Sequence, residues 1–171
     1  MSEINLTKLQ SPVFQLPDHA RVWAYQSKEP LSEKEQKKLK AALDEFLESW
    51  QAHGSSMTAA GDFLLDHFLI IAADEEKVKA TGCSIDSSVY FVKEMEKKFE
   101  VDFFDRMQVA YLKNGGSISI CSLSELEGLS KKNEISENTK VFNNLVANVG
   151  ELKERWILPI KESWHNQFID N

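Results

Sequence analysis

The amino-acid sequence predicts an α+β fold, namely a ferredoxin-like βαββαβ sandwich followed by an added β-hairpin and C-terminal helices. Three observations predict it. Between residues 20 and 112, apolar patterns follow one another in the order strand, helix, strand, strand, helix, strand. A tight-turn signal at Asn114-Gly115-Gly116 then separates two short alternating segments, as in a hairpin. In the C-terminal part, apolar residues recur every four positions, which is typical of helices.

The first residues of the chain carry little apolar periodicity and include Pro12 and Pro17. We therefore predict an N-terminal arm over residues 1–19 and a single α+β domain over residues 20–171. The domain opens with a strand over residues 20–26, where β-branched and aromatic side chains are frequent.

The clearest helix is predicted to begin after Ser32, because Ser32 and Glu35 have the spacing of a capping box. Apolar residues then follow at helical spacing and define one buried face. Gly54 is placed to end this helix, since glycine adopts the left-handed conformation at low cost.

Two strands are predicted over residues 57–65 and 67–73, joined by a turn near Asp66. The second is apolar on both faces, which is typical of a central strand. A second helix is predicted to begin near Asp86 or Ser87. A hairpin over residues 107–121 follows, and in the C-terminal helical region Pro159 should kink the helix or start a new one.

Composition excludes several classes of function. The chain has 171 residues, a net charge of -7 and 42% hydrophobic residues, so we expect a packed globule without a nucleic-acid partner. The longest apolar run, residues 68–73, is too short for membrane insertion. The N-terminus has no signal-peptide pattern, and Cys83 and Cys121 form no Cys-x-x-Cys pair. We therefore expect a cytoplasmic protein with reduced thiols and no metal or other cofactor.

A run of small and polar residues before the second helix concentrates the most potential chemistry. At a helix N-terminus, Gly82 would allow close backbone approach, Ser84 or Ser87 would donate to an anion, and the helix dipole would favour a Cys83 thiolate. Asp86 could orient a substrate or accept a proton. In the alternative interpretation, Asp86 or Ser84 caps the helix and Cys83 is buried as a small apolar side chain.

The remaining candidates each have a structural alternative. A histidine could serve Cys83 as a base only if the fold brings one near, and His53, His67 and His165 are the ones considered. Trp156 and Trp164 belong either to the core or to a face for a protein partner or a second copy. The carboxylates of residues 74–76, 102 and 105 could bind a hard metal such as magnesium if two strand ends met. Their spacing matches no metal-binding loop, so we interpret them as surface groups.

Seven sequence blocks are familiar as a set. They are Trp23-Ala24-Tyr25-Gln26-Ser27, Ala52-His53-Gly54, Phe68-Leu69-Ile70-Ile71, Gly82-Cys83-Ser84-Ile85-Asp86, Phe104-Asp105-Arg106-Met107, Val141-Phe142-Asn143-Asn144-Leu145-Val146 and Ser163-Trp164-His165. Over roughly residues 20–168 they resemble a family of small, uncharacterised bacterial proteins often labelled "ABC transporter ATPase". The resemblance carries no assigned chemistry.

Four residues of these blocks are candidate ligand residues: Asp105, Arg106, Asn143 and Asn144. The two asparagines lie within an apolar run, so if buried they need backbone or ligand partners. ATPase activity is not expected, because no Gly-x-x-x-x-Gly-Lys-Ser/Thr sequence is present to hold a triphosphate.

We therefore favour a non-enzymatic binding or protein-interaction domain, acting with a protein partner or as a homodimer. The alternative is a small enzyme, a hydrolase or transferase, whose site at the helix N-terminus of residues 82–88 acts on a phosphorylated or acyl substrate.

Overall fold

Strands and helices are mixed along residues 4–169, the part of the chain that the computed structural model describes, which confirms the α+β class. The strands are β1 (Arg21–Gln26), β2 (Gln51–Ala52), β3 (Ser55–Ser56), β4 (Thr58–Leu64), β5 (Phe68–Asp74), β6 (Gln108–Leu112), β7 (Ile118–Ser122), β8 (Lys140–Phe142) and β9 (Ile157–Pro159). The helices are α1 (Glu33–Ser49), α2 (Gly82–Phe99), α3 (Leu126–Lys131) and α4 (Val149–Arg155). Residues 1–3 of the predicted arm and 170–171 of the predicted domain lie outside the described residues.

The central strand of the first sheet is β5, as its continuous apolar run predicts. It pairs antiparallel with β1 on one side and β4 on the other. Leu69 and Ile71 face a core formed with α1 and α2, whereas Phe68 and Ile70 face a second core that includes α4. Because successive side chains of a strand point to opposite faces, one apolar strand serves both cores.

Helix α1 begins where its capping box predicts. The Glu35 carboxylate accepts the Ser32 backbone N–H at 2.8 Å, and Ser32 Oγ accepts the Glu35 N–H at 3.4 Å. The helix packs closely on β4 at Gly61, where an added Cβ would lie 2.9 Å from Cδ2 of Leu43. Glycine at this position therefore lets the helix approach the sheet.

The predicted role of Gly54 as the end of α1 is wrong. The helix ends at Ser49, and His53 and Gly54 form the turn between β2 and β3. Their φ angles are 52° and 74°, the left-handed values that a two-residue hairpin turn requires. The predicted positive φ of Gly54 is confirmed, but this conformation forms a hairpin turn and not a helix end.

The predicted start of α2 near Asp86 or Ser87 is also wrong, because the helix begins at Gly82 with Thr81 as its N-cap. Thr81 Oγ1 accepts the Ser84 N–H at 3.1 Å, and Ser84 Oγ accepts the Thr81 N–H at 2.7 Å. Serine thus occupies the position that glutamate fills in the usual capping box, so the sequence pattern does not indicate that α2 begins this early.

The second sheet has the order β7-β6-β8-β9 and is antiparallel throughout. The β6–β7 hairpin turns at Gly115 and Gly116, as predicted. The fourth strand expected in a ferredoxin-like sheet, β6, pairs with β7 and β8 and not with β1. The outer edge of β1 instead meets Asn148 in an antiparallel bridge with Arg21.

The predicted C-terminal helices are largely replaced by other elements. Helix α4 ends at Arg155, and β9 then pairs with β8 before two short 3-10 helices, Ile160–Glu162 and Trp164–Phe168. Pro159 ends an edge strand, where its missing N–H costs no ladder hydrogen bond. The four-residue repeat does not mark one helix: Leu152 lies in α4 and Trp156 directly follows it, whereas Ile160, Trp164 and Phe168 lie in the two 3-10 helices.

The N-terminal segment packs against the first sheet. It forms 3-10 helices at Leu6–Leu9 and Pro12–Gln15, and Val13 is fully buried in the core shared with α4. A hydrogen bond from the Val13 N–H to Ser11 Oγ caps the second of these turns. Within residues 4–169, no helix combines the length and apolar character that crossing a membrane needs.

Candidate functional site

The first turns of α2 hold the residues that the sequence singled out for chemistry. Ser84 is buried and acts in the cap, while its carbonyl oxygen accepts hydrogen bonds of 2.8 Å from Trp50 Nε1 and from Ser87 Oγ. Cys83 and Asp86 are exposed. The predictions that Cys83 is buried and that Asp86 caps the helix are therefore both wrong. The segment is therefore a capped helix start with an exposed thiol.

An open groove of about 530 Å³, here called the α2 groove, lies beside this helix start. Cys83, Ser84 and Ser87 line it, whereas Gly82 and Asp86 do not. His53 lines it as well, carried there by the β2–β3 turn. The remaining walls are mostly aromatic: Phe46, Trp50, Tyr90 and Phe91.

A second and more enclosed cavity of about 430 Å³ lies along β1 and is here called the β1 cavity. Its walls come from β1, from residues 103–108 before β6, from residues 142–147 after β8 and from the C-terminal 3-10 helix. Asp105, Arg106 and Asn144 line it. Of the four candidate ligand residues in the family blocks, three therefore line this cavity, whereas Cys83 and Asp86 do not.

Asn144 is held in place by hydrogen bonds on both sides of its amide. Its Oδ1 accepts from Trp156 Nε1 at 3.0 Å, and its Nδ2 donates to Gln26 Oε1 at 2.9 Å. Asn143 does not line the cavity, and its Oδ1 accepts the Leu145 N–H at 3.2 Å in a local turn. The Asn144 amide thus belongs to the cavity wall, whereas the Asn143 amide holds the adjoining turn.

Asp105 stabilises the loop that carries Arg106. Its Oδ1 accepts the Met107 N–H at 2.9 Å, and its Oδ2 accepts from Gln108 Nε2 at 3.0 Å. Asp102 caps the same loop by accepting the Phe104 N–H at 2.8 Å. The Asp105 carboxylate is therefore engaged at both oxygens.

Two arginines line the β1 cavity, and they differ in their partners. The Arg21 guanidinium carbon lies 4.8 Å from the centre of the Trp23 ring, and its Nη1 lies 3.9 Å from Glu75 Oε1. Arg106 has no ion pair or hydrogen bond with any residue of the described range 4–169. Burial raises the pKa of Tyr25, and the positive charge of Arg106 partly opposes that shift.

Trp164 and His165 complete the wall, and the sequence assigned neither to a ligand site. Trp164 Nε1 is buried and has no hydrogen-bond partner among the described residues. The rings of Trp164 and His165 stack with their centres 3.9 Å apart, and His165 Nδ1 lies 2.6 Å from Ser163 Oγ. Burial lowers the pKa of His165 to about 4, so its ring is neutral at neutral pH.

The predicted partner face at Trp156 and Trp164 is wrong for Trp156. Trp156 is 0% exposed and packs in the second core, against Phe68 and Phe142 at ring-centre distances of 5.0 and 5.3 Å. Trp164 lines the β1 cavity. Trp156 therefore supplies no exposed hot spot for a protein interface, whereas a role of the half-buried Trp164 in such a face stays a prediction.

An exposed cluster joins His19 to two of the acidic residues considered above. His19 Nε2 lies 3.0 Å from Asp74 Oδ1, which also accepts the Glu76 N–H at 3.0 Å. One ligand atom of each residue lies within 4.8 Å of the others. Hydrogen bonds to Asp74 lower the pKa of its carboxyl, as expected for an oxygen that caps a turn and pairs with histidine.

Comparison with family models, with curated proteins and with solved structures gave no match for this chain. The family resemblance stated above therefore stays a prediction. Four of the seven blocks that carry it contribute residues to the β1 cavity: residues 23–27, 104–107, 141–146 and 163–165. Because these blocks lie far apart along the chain, no local pattern predicts that they line one cavity. The family resemblance that they share was the signal that could have indicated it.

Proposed function

We propose that the protein is a non-enzymatic binding domain and that it takes a small organic anion in the β1 cavity. The observation that carries the proposal is the guanidinium of Arg106, which lines the cavity and has no ion pair or hydrogen bond with any residue of the range 4–169. Trp164 lines the same cavity, and its buried Nε1 has no partner among the described residues, which costs about 1–3 kcal/mol for a buried donor. A ligand oxygen would offset this cost by accepting from Nε1, once the Trp164 side chain turns this buried atom toward the cavity.

The charge of the cavity favours an acceptor-rich ligand. Arg106 is a fixed cation, Trp164 only donates, and the Tyr25 hydroxyl can donate as well. The net charge of -7 repels anions at long range, but salt screens exposed charges beyond about 8 Å in physiological buffer. At contact distance, the Arg106 guanidinium therefore determines which ligand charge the cavity prefers, and it favours an anion.

Binding without catalysis is supported by the state of the other polar groups. Both oxygens of Asp105 and both amide atoms of Asn144 are already hydrogen-bonded. His165 is neutral, and its Nδ1 faces Ser163 Oγ in a turn cap. These contacts position side chains and offer no paired acid and base for proton transfer.

Calorimetric titration with a series of carboxylates tests the proposal. At least one carboxylate should bind, and Arg106→Gln should weaken its binding by about tenfold or more, because a hydrogen bond to a charged group contributes about 1.5–3 kcal/mol. Trp164→Phe, which keeps an aromatic ring and removes the N–H, should weaken it as well. Lys34→Gln removes an exposed charge on α1 and should change nothing.

The proposal is wrong if no carboxylate binds at millimolar concentration. It is equally wrong if Lys34→Gln and Arg106→Gln weaken binding alike, because the effect would then reflect net charge and not the cavity.

The second candidate function is a small hydrolase or transferase with its site at residues 82–88. The observation in its favour is that the α2 groove brings His53 to the same wall as Cys83. Turnover of p-nitrophenyl acetate or p-nitrophenyl phosphate, lost in Cys83→Ala with unchanged circular dichroism, would support it. Turnover that persists in Cys83→Ala would exclude Cys83 as the nucleophile.

We further propose that β1, α1, β4, β5 and α2 form a ferredoxin-like unit. The order β1-β5-β4 and the packing of both helices on one face of the sheet support this proposal. Homodimerisation or binding of a protein partner stays a prediction, and light scattering over a range of concentrations would test the homodimer.

A further inference from the structure

The β1 cavity has an aromatic lining. Six aromatic side chains contribute to it: Trp23, Tyr25, Phe103, Phe104, Phe142 and Trp164. A volume of about 430 Å³ lies in the range of small-molecule sites and admits a ligand of one or two rings.

Contacts behind the lining hold several of these rings in place. Phe142 stacks on Phe68 at a ring-centre distance of 4.5 Å and is 2% exposed. Tyr25 and Phe104 meet edge to face, with ring centres 5.4 Å apart and an angle of 73° between planes. Phe142 is buried, whereas Tyr25 and Phe104 are half-buried. Because aromatic pairs prefer edge-to-face or offset geometry, the fixed rings of Tyr25 and Phe104 can receive a further aromatic ring at low reorganisation cost.

The charges of the cavity indicate how many negative charges the ligand carries. Two cations, Arg21 and Arg106, line the cavity. Arg21 lies near Glu75 and over Trp23, whereas Arg106 has no carboxylate partner among residues 4–169. Asp105 adds a negative charge beside Arg106. A second ligand charge would have to draw Arg21 away from Glu75 and Trp23, and left unpaired in a partly enclosed site it would be costly.

We infer that the ligand of the β1 cavity is an aromatic monocarboxylate, whose carboxylate pairs with Arg106 and whose ring packs among the aromatic side chains. The inference rests on the proposed function and makes it more specific. The two carboxylate oxygens match the paired N–H donors of the Arg106 guanidinium, which a ligand with a single acceptor does not.

A matched pair of probes separates the ring from the charge. Naphthalene-2-carboxylate and its fully saturated analogue, decahydronaphthalene-2-carboxylate, carry the same carboxylate on similar carbon skeletons. Titration into the wild-type protein should show the aromatic probe binding about tenfold more tightly, the size of effect that one or two ring contacts produce. Inorganic phosphate is the third probe and should not bind measurably.

Two variants test whether the lining of the β1 cavity causes the difference in affinity between the two carboxylates. Phe104→Leu should reduce the ratio of the two affinities toward one, because it replaces a ring of the lining with an aliphatic side chain. Tyr90→Leu is the matched control: Tyr90 is 65% exposed and lines the α2 groove, so the ratio should be unchanged. Circular dichroism of each variant verifies the fold.

Each outcome decides between the two proposals. Equal affinity for both carboxylates, lost in Arg106→Gln, overturns the aromatic inference and leaves the proposed function in place. Tighter binding of phosphate through Arg106 overturns the inference as well. Absence of binding by all three probes and by the wider carboxylate series overturns the proposed function itself. A ratio that Tyr90→Leu lowers as much as Phe104→Leu also contradicts the inference.

Discussion

Trp156 Nε1 donates a hydrogen bond of 3.0 Å to Asn144 Oδ1, which joins the second core to the wall of the β1 cavity. Trp156 is fully buried, so this oxygen is the partner that satisfies its N–H. The other end of the amide donates to Gln26 Oε1 on β1. One asparagine therefore links the C-terminal part of the fold to the edge of the first sheet.

Replacing Asn144 should destabilise the protein more than replacing its neighbour. Asn144→Ala leaves the buried Trp156 N–H without a partner, and we expect the free energy of unfolding to fall by about 1–3 kcal/mol. Asn143→Ala removes a turn bond to the exposed Leu145 and should cost clearly less. Urea denaturation of both variants measures the difference, and equal losses would contradict the assigned role of Asn144.

Features set by neighbouring residues were predictable from the sequence. The Ser32 cap, the turn before β5 and the glycine turn of the β6–β7 hairpin each depend on backbone preferences within a few positions. Leu65 and Asp66 adopt φ values of 54° and 64° in the three-residue loop of the β4–β5 hairpin, where the His67 N–H donates to the Leu64 carbonyl oxygen. Local chemistry alone fixes such elements, so a single sequence suffices.

The cavity depends on contacts that no local pattern contains. Gln26 and Asn144 bond across 118 positions, and Trp164 reaches the same wall from a turn that resembled a continuing helix. The family resemblance predicts Asp105 and Arg106 as ligand residues, whereas Asn144 is indicated also by its position within an apolar run. An unpartnered buried N–H, as at Trp164, is visible only once the fold is known.

The N-cap of α2 gives a test of where that helix begins. Thr81→Ala removes the acceptor for the Ser84 N–H, and we expect a loss of about 0.5–2 kcal/mol in the free energy of unfolding. Asp86→Ala changes an exposed residue inside the helix and should alter it by about 0.5 kcal/mol or less. If Asp86→Ala proves the costlier change in urea denaturation, the helix begins later than the structure has it.

The two thiols should differ sharply in reactivity. Cys83 is exposed, whereas burial raises the pKa of Cys121 to about 11 and leaves little thiolate at mildly alkaline pH. Iodoacetamide should therefore label Cys83 in the native protein and Cys121 only after denaturation, as read by peptide mass spectrometry. Cys83→Ser should remove native labelling altogether. Native labelling of Cys121 at the rate seen in urea would contradict its burial.

His165 should make the stability of the protein depend on pH. Burial lowers its pKa to about 4 in the folded state, against about 6.5 in the unfolded chain. Between these two values the unfolded chain binds a proton that the folded protein does not bind. The free energy of unfolding therefore falls as the pH drops from about 6.5 to about 4, by at most about 3 kcal/mol from this group.

Carboxyl groups titrate in part of the same range, so the contribution of His165 is measured as a difference between proteins. Urea denaturation at several pH values should show a shallower slope for His165→Asn than for the wild type, whatever the absolute stability of the variant. His53→Asn is the matched control, because His53 is exposed in a turn at a positive φ that asparagine tolerates. Identical slopes for the wild type and His165→Asn would show that the imidazole is hydrated in the folded protein, and the wall of the β1 cavity would then be open to water at this point.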